Sequence, residues 1–529
     1  ASIGNSNINL TGNTTSLVTV GGGFAAAAHD YLNRGTAGGS SDDSNLGVPM
    51  GTSNATSTAG NTTINIKLTG ETDKNVLNQG ISKTATALKN IKNALNNGNI
   101  DADTIVTSLK DATKALQGQS AAVGVIGGGL ALASGDNSAK TETVSSNATA
   151  TNTGATINLI DGYIVGSFGG GLAGALNNAN ATAETQGDIV TNVYKDTEVI
   201  GAFGNGLAYF TGSSNGGNNN LKGVASVIAQ NTTMNIDGAV DGVVGGGLAI
   251  DDSQSDTINA KVASNNSTIN ILSNAKVNVT NFDGFSGITA FKDYANSVKA
   301  AASNVAVAAG GIAVGGGAQS TMENSTINVQ GGEITGDVIG GGVAGAGYTD
   351  KADATDKSDK SGSLVKNSTI NLDAGKITGN VYAGGAIDSK GEGFNNYTAA
   401  KALVENAIIN WNGTEITGQL LGMGLVDGKV AESSNYESVK VGNSTLNVTG
   451  NVTLGLVDGS DGNKLSKIKG FNSVVFANGT EAILDGVDIN NTVAVIDGLL
   501  VDGTTKGTIT TTGSRLNIAK LQAGTADTD

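Results

Sequence analysis

The chain has 529 residues, 80 of them glycine, with one proline, one histidine, no cysteine and a net charge of −16. The missing thiols exclude disulfides, thiolate chemistry and cysteine-based zinc sites. An acidic balance without a Lys/Arg cluster excludes nucleic acid as a partner and disfavours an anionic membrane surface.

No apolar run of about 18 residues occurs, so no segment spans a membrane as a helix. Aromatic content of 4% and charged content of 14% argue against a large aromatic core. They leave a narrow interior of Ile, Val, Leu and Ala, repeated many times. The Gly, Asn, Thr and Ser load would mean disorder if it were aperiodic. Here it is periodic and interleaved with β-branched residues, which reads as strands and turns.

In chain order the same module recurs ten times: an alternating strand, a turn, a short strand, then a glycine segment. The first module places Asn7-Ile8-Asn9-Leu10 before Gly21-Gly22-Gly23, and the second Ile64-Asn65-Ile66 before Gly127-Gly128-Gly129. The third runs from Ile157-Asn158-Leu159 to Gly169-Gly170-Gly171. The fourth is degenerate, from Asp188-Ile189-Val190 to Gly204-Asn205-Gly206. The fifth runs from Met234-Asn235-Ile236 to Gly245-Gly246-Gly247. The sixth pairs Ile269-Asn270-Ile271 with Val314-Gly315-Gly316-Gly317-Ala318.

The seventh is the clearest copy: Asn324-Ser325-Thr326-Ile327-Asn328-Val329, then Gly340-Gly341-Gly342. The eighth ends in Ala383-Gly384-Gly385, the ninth in Gly422-Met423-Gly424, and the tenth in a shortened Leu454-Gly455-Leu456.

The step from the strand to the glycine segment is long only in the second and sixth modules, at 63 and 46 residues. Leu77, Ile81, Leu88, Ile91 and Leu95, then Ile105, Leu109 and Leu116, fall on helical faces. They predict a helical hairpin over 73–118. Ile288, Phe291, Tyr294 and Val298 predict one helix over 286–303. Both are insertions on the scaffold.

In Thr326-Ile327-Asn328-Val329, Ile and Val face one side and Thr and Asn the other. One module cannot bury its apolar face alone. Stacking the next coil on it does so and completes a parallel ladder. The expected architecture is an all-β solenoid over 1–465, with about ten coils and roughly 50 Å of axial length. The glycine segment lets coil walls approach or bend. A phosphate-binding loop is a poor reading, since no Lys-Ser/Thr and no helix follows. From 466 to 529 the glycine signature fades into short β segments and Asp-Gly turns, which read as further β-coils or a cap with a frayed tail.

The repeated Asn-Ser-Thr-Ile-Asn-Val, Gly-Gly-x-Ile-x-Gly-x-Val and Gly-Gly-Gly pattern resembles passenger regions of bacterial autotransporter (type V secreted) proteins. Gly470-Phe471-Asn472-Ser473-Val474 is similar to a segment found where such solenoids approach their C-terminal part. The resemblance implies a right-handed parallel β-helix displayed on, or released from, a Gram-negative outer membrane. The family's β-barrel translocator does not follow in this sequence, which begins at Ala1 and reads as an excised or processed piece.

Chemistry is less legible, and no catalytic, cofactor or metal residue is assigned. His29, beside Asp30 in an Ala-rich loop, is the only histidine and reads as a loop residue rather than a triad base. Asp350, Asp353, Asp356 and Asp359, and the pair Asp458 and Asp461, are the places where calcium could bind. They match neither the EF-hand nor the nonapeptide pattern, so a solvated loop is the reading. Trp411 reads as core filling, with sugar stacking as the alternative.

The Asn-x-Ser/Thr sequons stand at Asn13, Asn54, Asn61, Asn147, Asn231, Asn266, Asn324, Asn367 and Asn443, and several of them lie at the same corner of the module. They read as a ladder rather than as glycosylation. The expected function is surface contact outside the cell, as an adhesin or a self-associating matrix or filament subunit, without enzymatic activity. Surface glycans or proteins are the expected partners, with head-to-tail self-association between copies. A polysaccharide-acting β-helix enzyme and a passive stalk are the alternatives.

Overall fold

A computed structural model of the chain describes residues 2–28, 53–76, 119–135, 146–212, 221–253, 258–279, 298–345, 362–388, 401–431 and 436–484, except a few single positions, with short strands beyond. The chain is nearly all β. Its main sheet joins twelve strands in one parallel stack, from Ser6–Gly12 through Ser146–Phe168 and Ala318–Thr335 to Thr508–Thr511. Each hydrogen-bonds to the equivalent strand one repeat earlier and one repeat later where those exist, so the chain completes a coil per repeat.

Register follows the repeat. Ile8 lies over Ile64, which lies over Ile157. Met234, Ile269, Ile327, Ile370 and Ile409 continue the column, ending in Leu446, Val474 and Ile509. Only Thr191, in the degenerate fourth coil, breaks it with a polar side chain.

The long strand of each coil serves two interiors. Its second half bounds a body filled by Ile, Val and Leu, among them Ile157, Leu159, Ile164, Val199 and Val240. Its first half faces a second sheet of ten strands, parallel from Phe24–Ala28 to Leu425–Val426 and closed by the antiparallel strand Lys429–Val430. This arm is packed by alanine: Ala131 and Ala133 of one wall meet Ala148 and Ala150 of the other.

The glycine segment is the corner between body and arm. A Cβ added to its third glycine, Gly171, would stand 2.6 Å from the Ala183 Cβ across the arm. A Cβ on the middle glycine, Gly128, would stand 2.6 Å from the Gly171 nitrogen of the next coil. Contact this close leaves no room for a side chain at these two positions. Hydroxyls of the long strand bond the corner carbonyls: Thr62 Oγ1 donates to Gly127 O at 2.7 Å and Ser267 Oγ to Gly245 O at 2.9 Å.

Two module assignments are corrected. In the sixth coil the corner is Ala309-Gly310-Gly311. Gly246 donates to Gly310 O, and Gly310 donates to Gly341 O, at 3.1 and 3.0 Å. Gly315 and Gly317 belong to the connection into the next long strand, and Gly315 has φ +107°. Ala309 occupies the position of a first glycine, as Ala383 does in the eighth coil, so the longer glycine run was a decoy. In the tenth coil the corner is at Gly470, since Gly422 donates to Lys469 O at 2.9 Å. Leu454 instead ends a separate strand, Asn451–Leu454.

Of the 73–118 hairpin, only residues 73–76 are described, with 74–76 as the start of a helix. Asp73 Oδ1 accepts from the amides of Asn75 and Val76 at 2.9 and 3.3 Å, an N-cap that sequence reading did not single out. The rest of that segment lies outside the described residues. Of the 286–303 helix, residues 298–302 are described and are helical. Val298, Ala301 and Ala302 are buried in a cluster outside the body, with Phe203, Ile339, Tyr382 and Leu421. Phe168 stacks on Phe203 there at 4.8 Å. Beyond 466 the stack continues: Ser473–Phe476 and Thr508–Thr511 add two further strands to it. Among the described residues, no helix is long and apolar enough to cross a membrane.

Candidate functional site

The long strands turn their Thr and Asn side chains outward, because alternation sends Ile and Val into the body. Stacking in register then brings identical amides together. One row of ten asparagines begins at Asn9, Asn65 and Asn158 and ends at Asn371, Asn410 and Asn447. Every step carries an Nδ2-to-Oδ1 bond of 2.7–2.8 Å toward the preceding coil.

A second row lies at the sequon corner. Asn231 donates to Asp188, and Asn266, Asn324, Asn367, Asn406 and Asn443 each donate to the residue before, at 2.7–3.1 Å. The sequon asparagines of these coils are therefore rungs of a ladder. A short third row joins Asn54, Asn147 and Asn180 at 3.0 Å. Between the two long rows stand the threonines, such as Thr233, Thr268 and Thr326, paired across neighbouring coils and half-exposed.

The other concentration of polar chemistry is buried. In coils seven to ten the residue three before the corner is Asp337, Asn380, Gln419 and Lys467 in turn. Asp337 Oδ1 accepts from the Asn380 amide at 2.7 Å, and Asn380 Oδ1 from the Gln419 amide at 2.8 Å. Gln419 Nε2 donates to Ser466 O at 2.7 Å. Lys467 Nζ donates to Gly418 O at 2.7 Å and also to Ile416 O. Asn380 Nδ2 reaches the Tyr382 hydroxyl at 3.1 Å.

Asp337 is 4% exposed and Lys467 5%. Burial pushes the Asp337 carboxyl up to about 6, against the bonds from Asn380 that pull it down. Burial pulls the Lys467 ammonium down to about 8. The Tyr382 phenol is raised by burial and then by the Asp337 charge. These side chains tie each coil to the next inside the wall; the column is a polar staple.

No protein-family model, curated protein or solved structure matches the chain.

His29, Asp30, Asp350, Asp353, Asp356, Asp359 and Asp461 lie outside the described residues. Asp458 is described, exposed and ion-paired with Lys464 across a hairpin. Trp411 is 3% exposed in the body core, with Nε1 donating to Thr414 O at 2.8 Å, so it cannot stack on a sugar. Among the described residues, no group of three His, Cys, Asp or Glu is placed to hold a metal.

The buried column was missed by sequence reading. Its signal was present: in four successive modules a polar residue stands three positions before the corner. Finding it required the correct corner in the tenth coil, which the Leu454-Gly455-Leu456 assignment hid.

Proposed function

We propose that the chain is an extracellular, right-handed parallel β-helix, displayed on a Gram-negative surface or released from it, that acts by surface contact as an adhesin or self-associating subunit. One observation carries this reading. The same outward Asn recurs in all ten coils and the same outward Thr in seven of them, Asn7, Val190 and Ile408 standing in the others, on a scaffold whose buried Asp337 column ties coil to coil. A repeated, uniform surface suits many weak simultaneous contacts, whose avidity grows with their number. An enzyme needs instead one unlike constellation of groups.

Exposed Ile3, Val18 and Phe24 on the first coil support head-to-tail association between copies, since exposed strand edges and apolar side chains favour strand addition. The test is threefold: electron microscopy for fibres, adhesion of coated beads to cells and polysaccharide surfaces, and a sugar-release assay. The reading expects adhesion or fibres without released sugar. Release that disappears when a carboxylate pair on one face is mutated would replace it with the enzyme alternative. Monodisperse particles that adhere to nothing would favour the passive stalk.

A further inference from the structure

We infer that the outward strip formed by the threonine row and the ten-asparagine row is a binding face for an extended, uncharged, β-linked polysaccharide. This face would serve the contact role proposed above and names its ligand class.

The first ground is hydrogen-bonding capacity. A carboxamide has two N–H donors and two acceptor lone pairs. The ladder uses one N–H of Nδ2 and one lone pair of Oδ1 on each rung from Asn158 to Asn410. What remains is a donor and an acceptor per coil. Beside them, two residues away on the same outward face, are hydroxyls such as Thr268, Thr326 and Thr369. The match is a ligand whose groups both donate and accept, which is a sugar hydroxyl.

The second ground is charge. The two rows hold no ionisable residue in any of the ten coils, although the chain carries a net −16. Charged side chains flank the strip on both sides instead. Lys366 pairs with Glu323 at 2.6 Å before the sequon corner, and Lys376 with Glu415 at 3.0 Å beyond the strip. A neutral strip between charged borders suits a neutral polymer. It offers nothing to a nucleic acid or a sulfated glycan, which require a basic surface.

The third ground is shape and an aromatic. The Asn row is continuous and in register, one rung per coil, and repeats once per strand spacing, about 4.8 Å, over about 45 Å. An extended β-linked chain likewise presents ring after ring at a regular spacing. Tyr194, two residues beyond the Asn192 rung, is 46% exposed at the edge of the strip in the fourth coil. Its ring offers an apolar plane with a polar tip, which suits the C–H face of a sugar. This is the sugar-facing aromatic that Trp411 is not.

The experiment is titration of the full chain with cellohexaose, chitohexaose and xylohexaose, and co-sedimentation with insoluble cellulose and chitin, at low and high salt. Thr233→Glu/Thr268→Glu/Thr326→Glu is compared with wild type, and Tyr194→Ala separately. None of these positions takes part in the amide ladder, and thermal melts monitor folding. Binding of at least one neutral polymer is expected. It should be insensitive to salt and weakened about tenfold or more by the triple variant, with a smaller loss for Tyr194→Ala.

Absence of binding to all five probes overturns the inference. So does binding that the folded triple variant retains, or binding that salt abolishes. Bead adhesion to cells that persists in the triple variant would leave the contact role standing while removing this face. Loss of adhesion in wild type would remove the contact role itself.

Discussion

The body and the arm are built from the two halves of the same long strands, yet their interiors differ. Body columns carry Ile, Leu and Val, such as Ile157 and Leu159. Arm columns carry Ala, such as Ala148 and Ala150, a few residues earlier on the same strand. The difference is set at the glycine corner. Where the chain turns through Gly169-Gly170-Gly171, the opposite wall is near enough that Gly171 faces the Ala183 methyl directly. Larger side chains fit only where the walls have diverged. The body therefore draws its stability from apolar area removed from water. The arm draws it from close packing, where each methyl has dense neighbours.

The two regions should fail in opposite ways. Ile327→Ala in the body leaves a cavity in the middle of the column and should cost about 2–5 kcal/mol by denaturant melt. Ala181→Leu in the arm overfills a site bounded by Ala148 and Ala225 and should cost about 3 kcal/mol. Toleration of Ala181→Leu would blur the contrast, because it would mean that the arm has slack.

The staple column sharpens the comparison within the wall of the body. The folded chain disfavours charged Asp337, whose carboxyl titrates near 6 rather than 3.8. Wild-type stability should therefore rise as pH falls through about 6, and Asp337→Asn should add about 2 kcal/mol at pH 7. That advantage should vanish below the ordinary carboxylate range, where both chains are neutral at this position. Lys467 acts with the opposite sense: its charged form is disfavoured, so stability rises as pH climbs past about 8.

The smallest effect is at Thr191, whose hydroxyl is buried without a hydrogen-bond partner in a column of apolar side chains. Thr191→Val should stabilise by about 1 kcal/mol. Destabilisation would mean that the hydroxyl has a role in the fourth coil.

Much of this fold was readable because period-2 alternation and the Asn-Ser-Thr-Ile-Asn-Val repeat are local signals. The body column, the sequon ladder and the burial of Trp411 all follow from them. The arm was not foreseen, since alanine is neutral in patterning and Ala148 or Ala181 carries no strand signature of its own. Likewise, the sixth corner was misplaced because Ala309 can stand where a first glycine usually does, while Gly315-Gly316-Gly317 imitates a corner in composition. The outward Asn and Thr rows were visible as letters. Their continuity became evident only once the coils were in register.

The most direct measurement of that register is disulfide trapping, in a chain with no cysteine of its own. Thr268→Cys/Thr326→Cys places thiols on facing residues of neighbouring coils, and Thr268→Cys/Thr369→Cys places them two coils apart. Neighbouring parallel strands lie about 4.8 Å apart, and a disulfide needs Cα atoms within about 7 Å. Stacked coils require the first pair to oxidise rapidly within one chain, read by intact mass, and the second to stay reduced. Efficient intramolecular oxidation of the second pair, or none of the first, would contradict the stack.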